Sequence, residues 1–256
     1  MKDPIVIIGI GEIGSVFARG FLKTGHPVYP VTRDMDFEQA VHRIPEPELV
    51  LVTVGENDLG AVLAKLPEPW KSNVALIQNE LLPQNWQQHN IISPTVASIW
   101  FEKKPNQNAK VVVASPVYGA HAGLIRNALN ALDIPCNLLA NEEQLTFELA
   151  RKNYYILASN ICGLKTGGTV SELWENHESL VRAVLEDIHA IQEHLTQSKL
   201  DKESLTAAML IAFAGDPQHG CMGRSAPARL ERALEIAKQA NISVPALQEI
   251  MQATQN

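Results

Sequence analysis

The stretch PIVIIGIGEIGSVFARGFLKTGHPVYPVTRD, from Pro4 to Asp34, decides the fold. Residues 5–8 form an apolar run, mostly β-branched, of the kind that suits a buried parallel strand. Gly9, Gly11 and Gly14 follow that run with the spacing G-x-G-x-x-G. The run and the glycines together predict a tight turn from a parallel strand into a helix.

The residues after the glycines complete this pattern. Apolar side chains recur at helical spacing, a left-handed cap is expected near Gly25, and residues 27–31 are typical of a second strand. The first glycine permits the turn, the second lets backbone approach a pyrophosphate, and the third lets the helix pack on the strand. We therefore predict a dinucleotide-binding unit, with cofactor contacts from Gly9, Ile10, Gly11, Glu12, Ile13 and Gly14.

The residues after the second strand select the cofactor. An acidic residue there accepts a hydrogen bond from the ribose 2′-OH of NAD(H), whereas an arginine there accommodates the 2′-phosphate of NADP(H). This chain has Thr32 and Arg33, whose hydroxyl and guanidinium can both donate to a phosphate. NADP(H) is therefore predicted over NAD(H). Asp34 and Asp36 follow closely, so a strand that ended one residue later would bring a carboxylate to the ribose instead.

Strand and helix patterns alternate as far as residue 140. This order predicts an α/β fold with a doubly wound parallel sheet, a Rossmann domain, whose ligands lie outside the carboxyl ends of the strands. Gly55 and Asn79 stand at two of these ends and are further candidates for cofactor binding. The predicted segments are helices at 37–44, 58–66 and 122–132, strands at 48–54, 73–79 and 134–139, and a hairpin of 95–102 with 109–116.

From about Asn141 the sequence changes to long helical patterns. We predict that residues 1–140 form the NADP-binding domain and that residues 141–256 form a smaller, all-helical domain for substrate and catalysis. In one of the helices an apolar stripe is matched by a polar side that carries Glu186, Asp187 and Glu193. The predicted helices cover residues 142–163, 176–197, 201–214, 226–240 and 245–254.

Composition excludes several classes of function. A net charge of −7 without a Lys/Arg-rich block argues against nucleic-acid binding, and no apolar run has the length of a membrane span. The N-terminus lacks the pattern of a signal peptide, which favours a cytoplasmic location. Three widely spaced cysteines fit neither a disulfide framework nor a zinc site, and no metal site is predicted. Small molecules are the expected partners.

Several isolated side chains have an ordinary structural interpretation. We expect the histidines at 121, 189, 194 and 219 to be solvated surface residues, because no metal or nucleophile motif surrounds them. The tryptophans at 86, 100 and 174 are expected to pack rather than to stack on a cofactor.

The order of motifs resembles the ketopantoate reductase family, within the wider group related to 6-phosphogluconate dehydrogenase. The matching segments are GIGEIG, Arg33, LVLVTV, LIQN with Asn79, ARKNYYILASN with Lys152 and Asn160, TGGTVSEL and ANISVP. The resemblance implies hydride transfer from NADPH to the ketone of a 2-oxo acid. It also implies that Lys152 is the general acid, that Asn79 lies by nicotinamide and substrate, and that Asn160 binds substrate. The resemblance is compatible with a homodimer but does not require one.

Four positions depart from the family pattern, all on the substrate side. Gly55 stands where the family has a lysine, and Asn79 is followed by Glu80 rather than by glycine. Ile156 replaces an asparagine of the lysine helix. In the late segment GRSAPARLE, residues 225–227 (Ser-Ala-Pro) stand where the family has a glutamate.

Three hypotheses remain open at this stage. The first is an NADPH-dependent reductase of this family that acts on a related 2-oxo acid. The second is a diverged NADP(H)-binding protein without turnover that acts as a sensor or partner module. The third is an enzyme of the β-hydroxyacid dehydrogenase type, which the segment SPVYGAHAG (115–123) suggests.

Overall fold

A computed structural model describes residues 2–254 of the chain. The chain divides into two compact units, Met1–Glu148 and Leu149–Asn256. The assignment of cofactor binding to residues 1–140 and of catalysis to residues 141–256 stays a prediction. Within residues 2–254, every helix is too short or too polar to cross a membrane.

The first unit is built on a seven-stranded sheet with the order β2-β1-β3-β4-β5-β8-β9. All neighbours are parallel except β5 and β8, so the predicted doubly wound sheet is confirmed. A separate pair, β6 and β7, is antiparallel. The strands are β1 (Ile5–Ile8), β2 (Val28–Val31), β3 (Leu49–Val52), β4 (Val74–Leu76), β5 (Thr95–Ala97), β6 (Phe101–Glu102), β7 (Lys110–Val111), β8 (Ser115–Tyr118) and β9 (Cys136–Leu138).

Helices cover this sheet and supply its core. The fully buried rings of Phe17 and Phe21 lie on one helix and pack against the strands. That helix crosses the neighbouring one closely at Gly20, where a Cβ would stand 2.4 Å from the Ala128 carbonyl oxygen. The helices are α1 (Glu12–Lys23), α2 (Phe37–Arg43), α3 (Glu56–Ala64), a 3₁₀ helix (Glu68–Asn73), α4 (Gln84–Gln87), α5 (Ala122–Asn130) and the first turns of α6 (Glu142–Thr166).

The predicted hairpin of 95–102 with 109–116 is present but divided. Its inner part joins the main sheet through Ala97 and Val117, whereas its outer part pairs Phe101 with Val111. The pairing register shifts between these parts, and there the Trp100 N–H donates to the Ser115 hydroxyl at 2.9 Å rather than to a backbone carbonyl. A side chain thus interrupts the ladder and separates β6–β7 from the main sheet.

The second unit is all-helical, as predicted. It contains the rest of α6 with α7 (Val170–Thr196), α8 (Lys202–Gly215), α9 (Ala226–Ala240) and α10 (Pro245–Thr254). Helix α7 begins earlier than the predicted residue 176, because Thr169 and Glu172 form a reciprocal capping box at its start. The helix is kinked at His177, where φ is −135°.

Asp187 corrects one prediction for α7. It was expected on the polar side, yet only 4% of it is exposed, and its carboxylate accepts a 2.9 Å hydrogen bond from the Leu247 N–H. The start of α10 leaves backbone N–H groups without intrahelical acceptors, and Asp187 satisfies them from a neighbouring helix. Burial raises the pKa of Asp187, although hydrogen bonds from Leu247 and Ala246 oppose the shift.

Candidate functional site

The carboxyl ends of four neighbouring strands lie level with one another in the first unit. Ile8 is paired with Val31 and with Val52, and Val52 is paired with Leu76. The residues that follow β2, β1, β3 and β4 therefore emerge at the same edge, which we call the carboxyl edge. This register brings together the predicted cofactor residues Gly9, Ile10, Gly11, Glu12, Ile13, Gly14, Thr32, Arg33, Gly55 and Asn79.

The three glycines have different surroundings at this edge. Gly9 has φ +91°, a left-handed conformation that side chains disfavour, and a Cβ there would stand 2.9 Å from Val54. A Cβ on Gly14 would stand 2.3 Å from the Gly9 carbonyl oxygen, so the turn excludes any larger residue. At Gly11, by contrast, no heavy atom lies within 4 Å of such a Cβ. That open space fits the approach of a pyrophosphate.

Thr53 anchors the glycine turn and was missed at the sequence level. Its hydroxyl lies 3.2 Å from the Ile8 carbonyl oxygen and also donates to the carbonyl of Gly9. Its backbone N–H donates to Ile8 at 2.8 Å, which continues the β1–β3 ladder by one residue. The threonine in LVLVTV was the available signal, because a short hydroxyl side chain at a strand end can satisfy the carbonyls of an adjacent turn.

Gln78 performs a similar task between the next two strand ends. Its buried carboxamide donates to the carbonyls of Val52 at 2.8 Å and Val54 at 3.2 Å, and accepts from the Ile77 N–H at 3.1 Å. The ends of β3 and β4 are thereby joined by a side chain. Asn79, the predicted site residue, follows directly and is exposed.

Arg33 follows the end of β2 as the NADP(H) prediction requires. Its side chain is 88% exposed and its Nη2 atom lies 3.4 Å from Asp58 Oδ2 in the first turn of α3. Of the two alternative ribose acceptors, Asp34 is exposed, whereas Asp36 caps α2 by accepting from the Glu38 N–H at 3.0 Å. That carboxylate is already engaged, whereas the guanidinium has most of its donors open to solvent. Thr32 is exposed beside it.

Glu12 introduces a negative charge at the start of α1, where the helix dipole favours anions. Its Oε2 atom lies 2.7 Å from Lys103 Nζ, and that ammonium also donates to the Lys104 carbonyl at 2.8 Å. Lys103 lies in the turn between β6 and β7 and its side chain is only 18% exposed. The positive charge beside the glycine turn therefore comes from a distant part of the sequence.

Two of the departures from the family pattern have clear surroundings at the carboxyl edge. Gly55 caps the start of α3, and a Cβ there would meet no atom within 4 Å, so neither packing nor strain demands a glycine. Glu80, which stands where the family has a glycine, adopts a left-handed conformation with φ +58°. The chain thus adopts this conformation without glycine.

In the second unit, the predicted residues of α6 share one helical face. Lys152, Ile156 and Asn160 recur at four-residue intervals, so Lys152 and Asn160 are separated by about 12 Å along the axis. The Lys152 ammonium lies 5.6 Å from the centroid of the Tyr155 ring, within cation–π distance. Ile156 is buried in the place of the family's asparagine. We call Lys152, Tyr155, Ile156 and Asn160 the α6 face.

Asn160 has an unexpected neighbour in Arg229 of α9. The Arg229 Nη1 atom donates to Asn160 Oδ1 at 2.9 Å, and both residues are buried, with 8% and 7% exposed. Gly223 adjoins the same oxygen, because a Cβ there would stand 3.0 Å from it. No sequence signal pointed to Arg229, since the two residues are 69 positions apart and no motif joins them.

The late segment, where the family has a glutamate, forms the start of α9. Ser225 is the N-cap residue of α9 and the next two residues form its first turn, with Ala226 fully buried. Glu231, further along the helix, is exposed. The buried charged side chain of this helix is the cation of Arg229.

The histidine predictions were partly wrong. His194 is exposed, as expected, but His219 is 24% exposed and packs on the Tyr155 ring at 5.9 Å. His189 is 18% exposed, and its Nδ1 atom lies 2.6 Å from the buried Tyr154 hydroxyl. His121 is half-buried at the start of α5, and burial lowers its pKa. Packing within the units decides these positions, which local sequence cannot show.

The tryptophans and cysteines lie in packed surroundings. Trp86 and Trp100 are buried, and Trp174 packs under Arg182 at 5.2 Å. All three cysteines are buried and free, and burial raises the pKa of Cys162 to about 12. Across residues 2–254, no group of three or more metal-binding side chains is assembled.

No protein-family model and no curated protein matches the chain. Solved structures do match it over 98% of its length. A ketopantoate reductase of the PanE/ApbA family from Ralstonia eutropha JMP134 is 14% identical, with a TM-score of 0.70 and 97% of that chain covered. The dimeric ketopantoate reductase of Staphylococcus aureus is 17% identical, with a TM-score of 0.64 and 97% of that chain covered.

The fold is that of the ketopantoate reductases. A D-mandelate dehydrogenase, solved with NADH and anilino(oxo)acetate, has the ketopantoate reductase fold too. It is 12% identical, with a TM-score of 0.68, and the match covers 98% of this chain and 97% of that one. At these identities the likeness concerns the fold, so the chemistry of the present chain has to be argued from its own residues.

Proposed function

We propose that this protein is an NADPH-dependent reductase that converts a 2-oxo acid into the corresponding 2-hydroxy acid. The observation that carries the proposal is the glycine turn at the carboxyl edge, which is open at Gly11, in a chain that matches the ketopantoate reductase fold over 98% of its length. By name, all three of the solved structures described above are oxidoreductases of 2-oxo or 2-hydroxy acids. The proposal assigns cofactor binding to the glycine turn, which is open at Gly11, and proton donation to Lys152.

The residues of the carboxyl edge are suited to a dinucleotide. The open space at Gly11 fits the backbone approach to a pyrophosphate, and the N-terminus of α1 favours its negative charge. The exposed guanidinium of Arg33 suits a 2′-phosphate, with the Thr32 hydroxyl as a second donor. Gly55 and Asn79 complete the proposed cofactor residues. NADPH, when bound, supplies the hydride.

Lys152 is the proposed general acid. As hydride adds to C2 of the substrate, the C2 oxygen gains negative charge, and the Lys152 ammonium stabilises that charge and donates one proton to the oxygen. The products are a 2-hydroxy acid, NADP⁺ and a neutral lysine that regains its proton from solvent. Asn160, and Asn79 beside the nicotinamide, are proposed to bind the substrate.

The test is a nucleotide titration followed by a substrate screen. We expect NADPH to bind more tightly than NADH, and we expect NADPH oxidation with at least one member of a 2-oxo acid panel that includes ketopantoate. Failure of both nucleotides to bind would contradict the proposal. The same result would also remove the alternative described next, since both need the cofactor.

The alternative is an NADP(H)-binding protein without turnover. The departures at Gly55, Ile156 and residues 225–227 favour it, because all of them affect groups expected near substrate while the glycine turn is intact. Tight NADPH binding without oxidation across the panel would support this alternative. The β-hydroxyacid dehydrogenase hypothesis has less support, because the chain lacks the glycine-rich segment that enzymes of this type carry before the lysine. A cytoplasmic location and a homodimer stay predictions.

A further inference from the structure

Asn160 is held in one orientation by its surroundings. A carboxamide can present either its oxygen or its amino group to a ligand, and the hydrogen-bond partners decide which. A guanidinium only donates, so the Asn160 atom 2.9 Å from Arg229 Nη1 must be the oxygen. Gly223 lies beside the same oxygen, where a Cβ would stand 3.0 Å from it.

The amino group of Asn160 consequently points away from Arg229. Among residues 2–254, its recorded hydrogen-bond partner is the Ser159 hydroxyl, at a long 3.4 Å. That hydroxyl donates its own proton to the Tyr155 carbonyl at 2.7 Å and accepts weakly from Asn160. One N–H of Asn160 is thus poorly engaged and the other has no recorded acceptor within the described residues. Buried amides normally satisfy such donors, which indicates that an acceptor arrives with a ligand.

We infer that Arg229 is a positioning residue that locks Asn160 as a hydrogen-bond donor and so selects a carboxylate or carbonyl oxygen of the substrate. The inference rests on the proposed function and deepens it by naming the group recognised. An Asn160 amide held with its N–H toward the substrate can donate to an acceptor oxygen. It cannot accept a hydrogen bond from a substrate hydroxyl.

The charge of Arg229 acts in the same direction. Its buried guanidinium donates directly to Asn160 Oδ1, so it polarises the carboxamide and strengthens the N–H as a donor. Residues 225–227, which stand where the family has a glutamate, carry no carboxylate.

The kinetic test compares Asn160→Asp, Arg229→Met and Arg229→Lys. The aspartate keeps the volume and the contact with Arg229 but offers no N–H, so KM for the 2-oxo acid should rise about 10- to 100-fold. The methionine frees the amide to rotate, and we expect about a 10-fold rise. Lysine should restore part of the loss, because an ammonium still donates to Oδ1. In all three, kcat should change less than KM and NADPH affinity should stay within about twofold.

The matched control is Arg182→Met, which removes an exposed arginine from α7 of the same unit. It should leave KM unchanged. A wild-type KM in Asn160→Asp would overturn the inference while leaving the reductase proposal intact. This variant decides the matter even if Arg229→Met fails to fold, because the aspartate preserves the buried pair.

A second measurement does not depend on turnover. The side-chain amide signal of Asn160 in an ¹⁵N spectrum, assigned by its loss in Asn160→Asp, is followed during titration with oxamate and, separately, with the neutral compound pyruvamide, with NADP⁺ present. We expect oxamate to shift the signal at much lower concentration than pyruvamide. A shift without turnover would contradict the proposed function and support the recognition inference, whereas turnover without a shift would do the reverse.

Discussion

Gly14 in the first unit and Asn160 in the second are both confined by close neighbours, but the neighbours differ in kind. Gly14 is confined by a backbone oxygen of Gly9, whereas Asn160 is confined by the side chain of Arg229. A backbone arrangement can be inferred from glycine spacing, since few residues other than glycine fit it. A pair of side chains leaves no such pattern. Function is therefore easier to infer for the carboxyl edge than for the α6 face.

The largest effect is expected for Lys152→Ala, which breaks the α6 face at its proposed acid. Turnover should fall by about 10²- to 10⁴-fold, the usual contribution of general acid catalysis, with NADPH affinity little changed. Steady-state oxidation of NADPH measures the first quantity and fluorescence titration the second. Lys165→Ala is the control, because Lys165 lies on the same helix but pairs with Glu249 at 2.7 Å. Equal losses in both variants would contradict the role of Lys152.

A pair of alanine substitutions tests the carboxyl edge. In Gly14→Ala the new methyl group would stand 2.3 Å from the Gly9 oxygen, so the turn must distort, and we expect lower thermal stability together with loss of nucleotide binding. In Gly11→Ala the methyl group meets no protein atom, so Tm should stay near wild type while NADPH affinity falls. Calorimetry and titration separate the two effects. Wild-type NADPH affinity in Gly11→Ala would show that no ligand approaches this glycine.

Arg33→Ala sharpens the cofactor assignment. Loss of a charge-assisted contact with the 2′-phosphate should weaken NADPH by about 10- to 100-fold and leave NADH nearly unchanged. Asp58→Asn is the complementary change, because it removes the carboxylate 3.4 Å from the guanidinium and should strengthen NADPH modestly. Equal weakening of NADPH and NADH in Arg33→Ala would argue for NAD(H) as the cofactor.

The smallest effect concerns the scaffold of the second unit. Because burial raises the folded-state pKa of Asp187, this group contributes most to stability below the unfolded value of about 3.8 and loses that contribution as pH rises through the folded pKa. Asp187→Asn should therefore flatten the decline in unfolding free energy that accompanies a rise in pH above about 4. Denaturant titrations of both proteins at a series of pH values above about 4 measure the unfolding free energy. An unchanged pH profile would show that the carboxyl does not titrate differently on folding.

The sequence predicts most of the backbone for identifiable reasons. The β1 run IVII is buried throughout because both faces of the sheet are covered, and all four residues were recognised by their apolar character. The early start of α7 could also have been seen, since Thr169 and Glu172 have capping-box spacing. The burial of Asp187 could not have been predicted, because this carboxylate accepts a hydrogen bond from the start of α10, and periodicity within α7 contains no information about that contact.

The site was predicted in the same uneven way. Arg33 and the glycines could be predicted as cofactor residues because strand ends and turns impose residue types on neighbouring positions. Thr53 carried a weak signal, and Arg229 carried none, because its partner is distant in the sequence. Contacts between side chains of separate helices depend on the angles at which the helices pack, and these angles cannot be predicted from the pattern of a single sequence.

The ion pair between Glu12 and Lys103 has a consequence for motion. It joins the first turn of α1 to the turn of a small two-stranded sheet that the main sheet does not include. A phosphate oxygen at the helix N-terminus would compete with the Glu12 carboxylate for the same ammonium. Local opening of the β6–β7 ribbon, visible as amide hydrogen exchange, would then respond to both salt and nucleotide. The ribbon would serve as a natural reporter of events at the glycine turn.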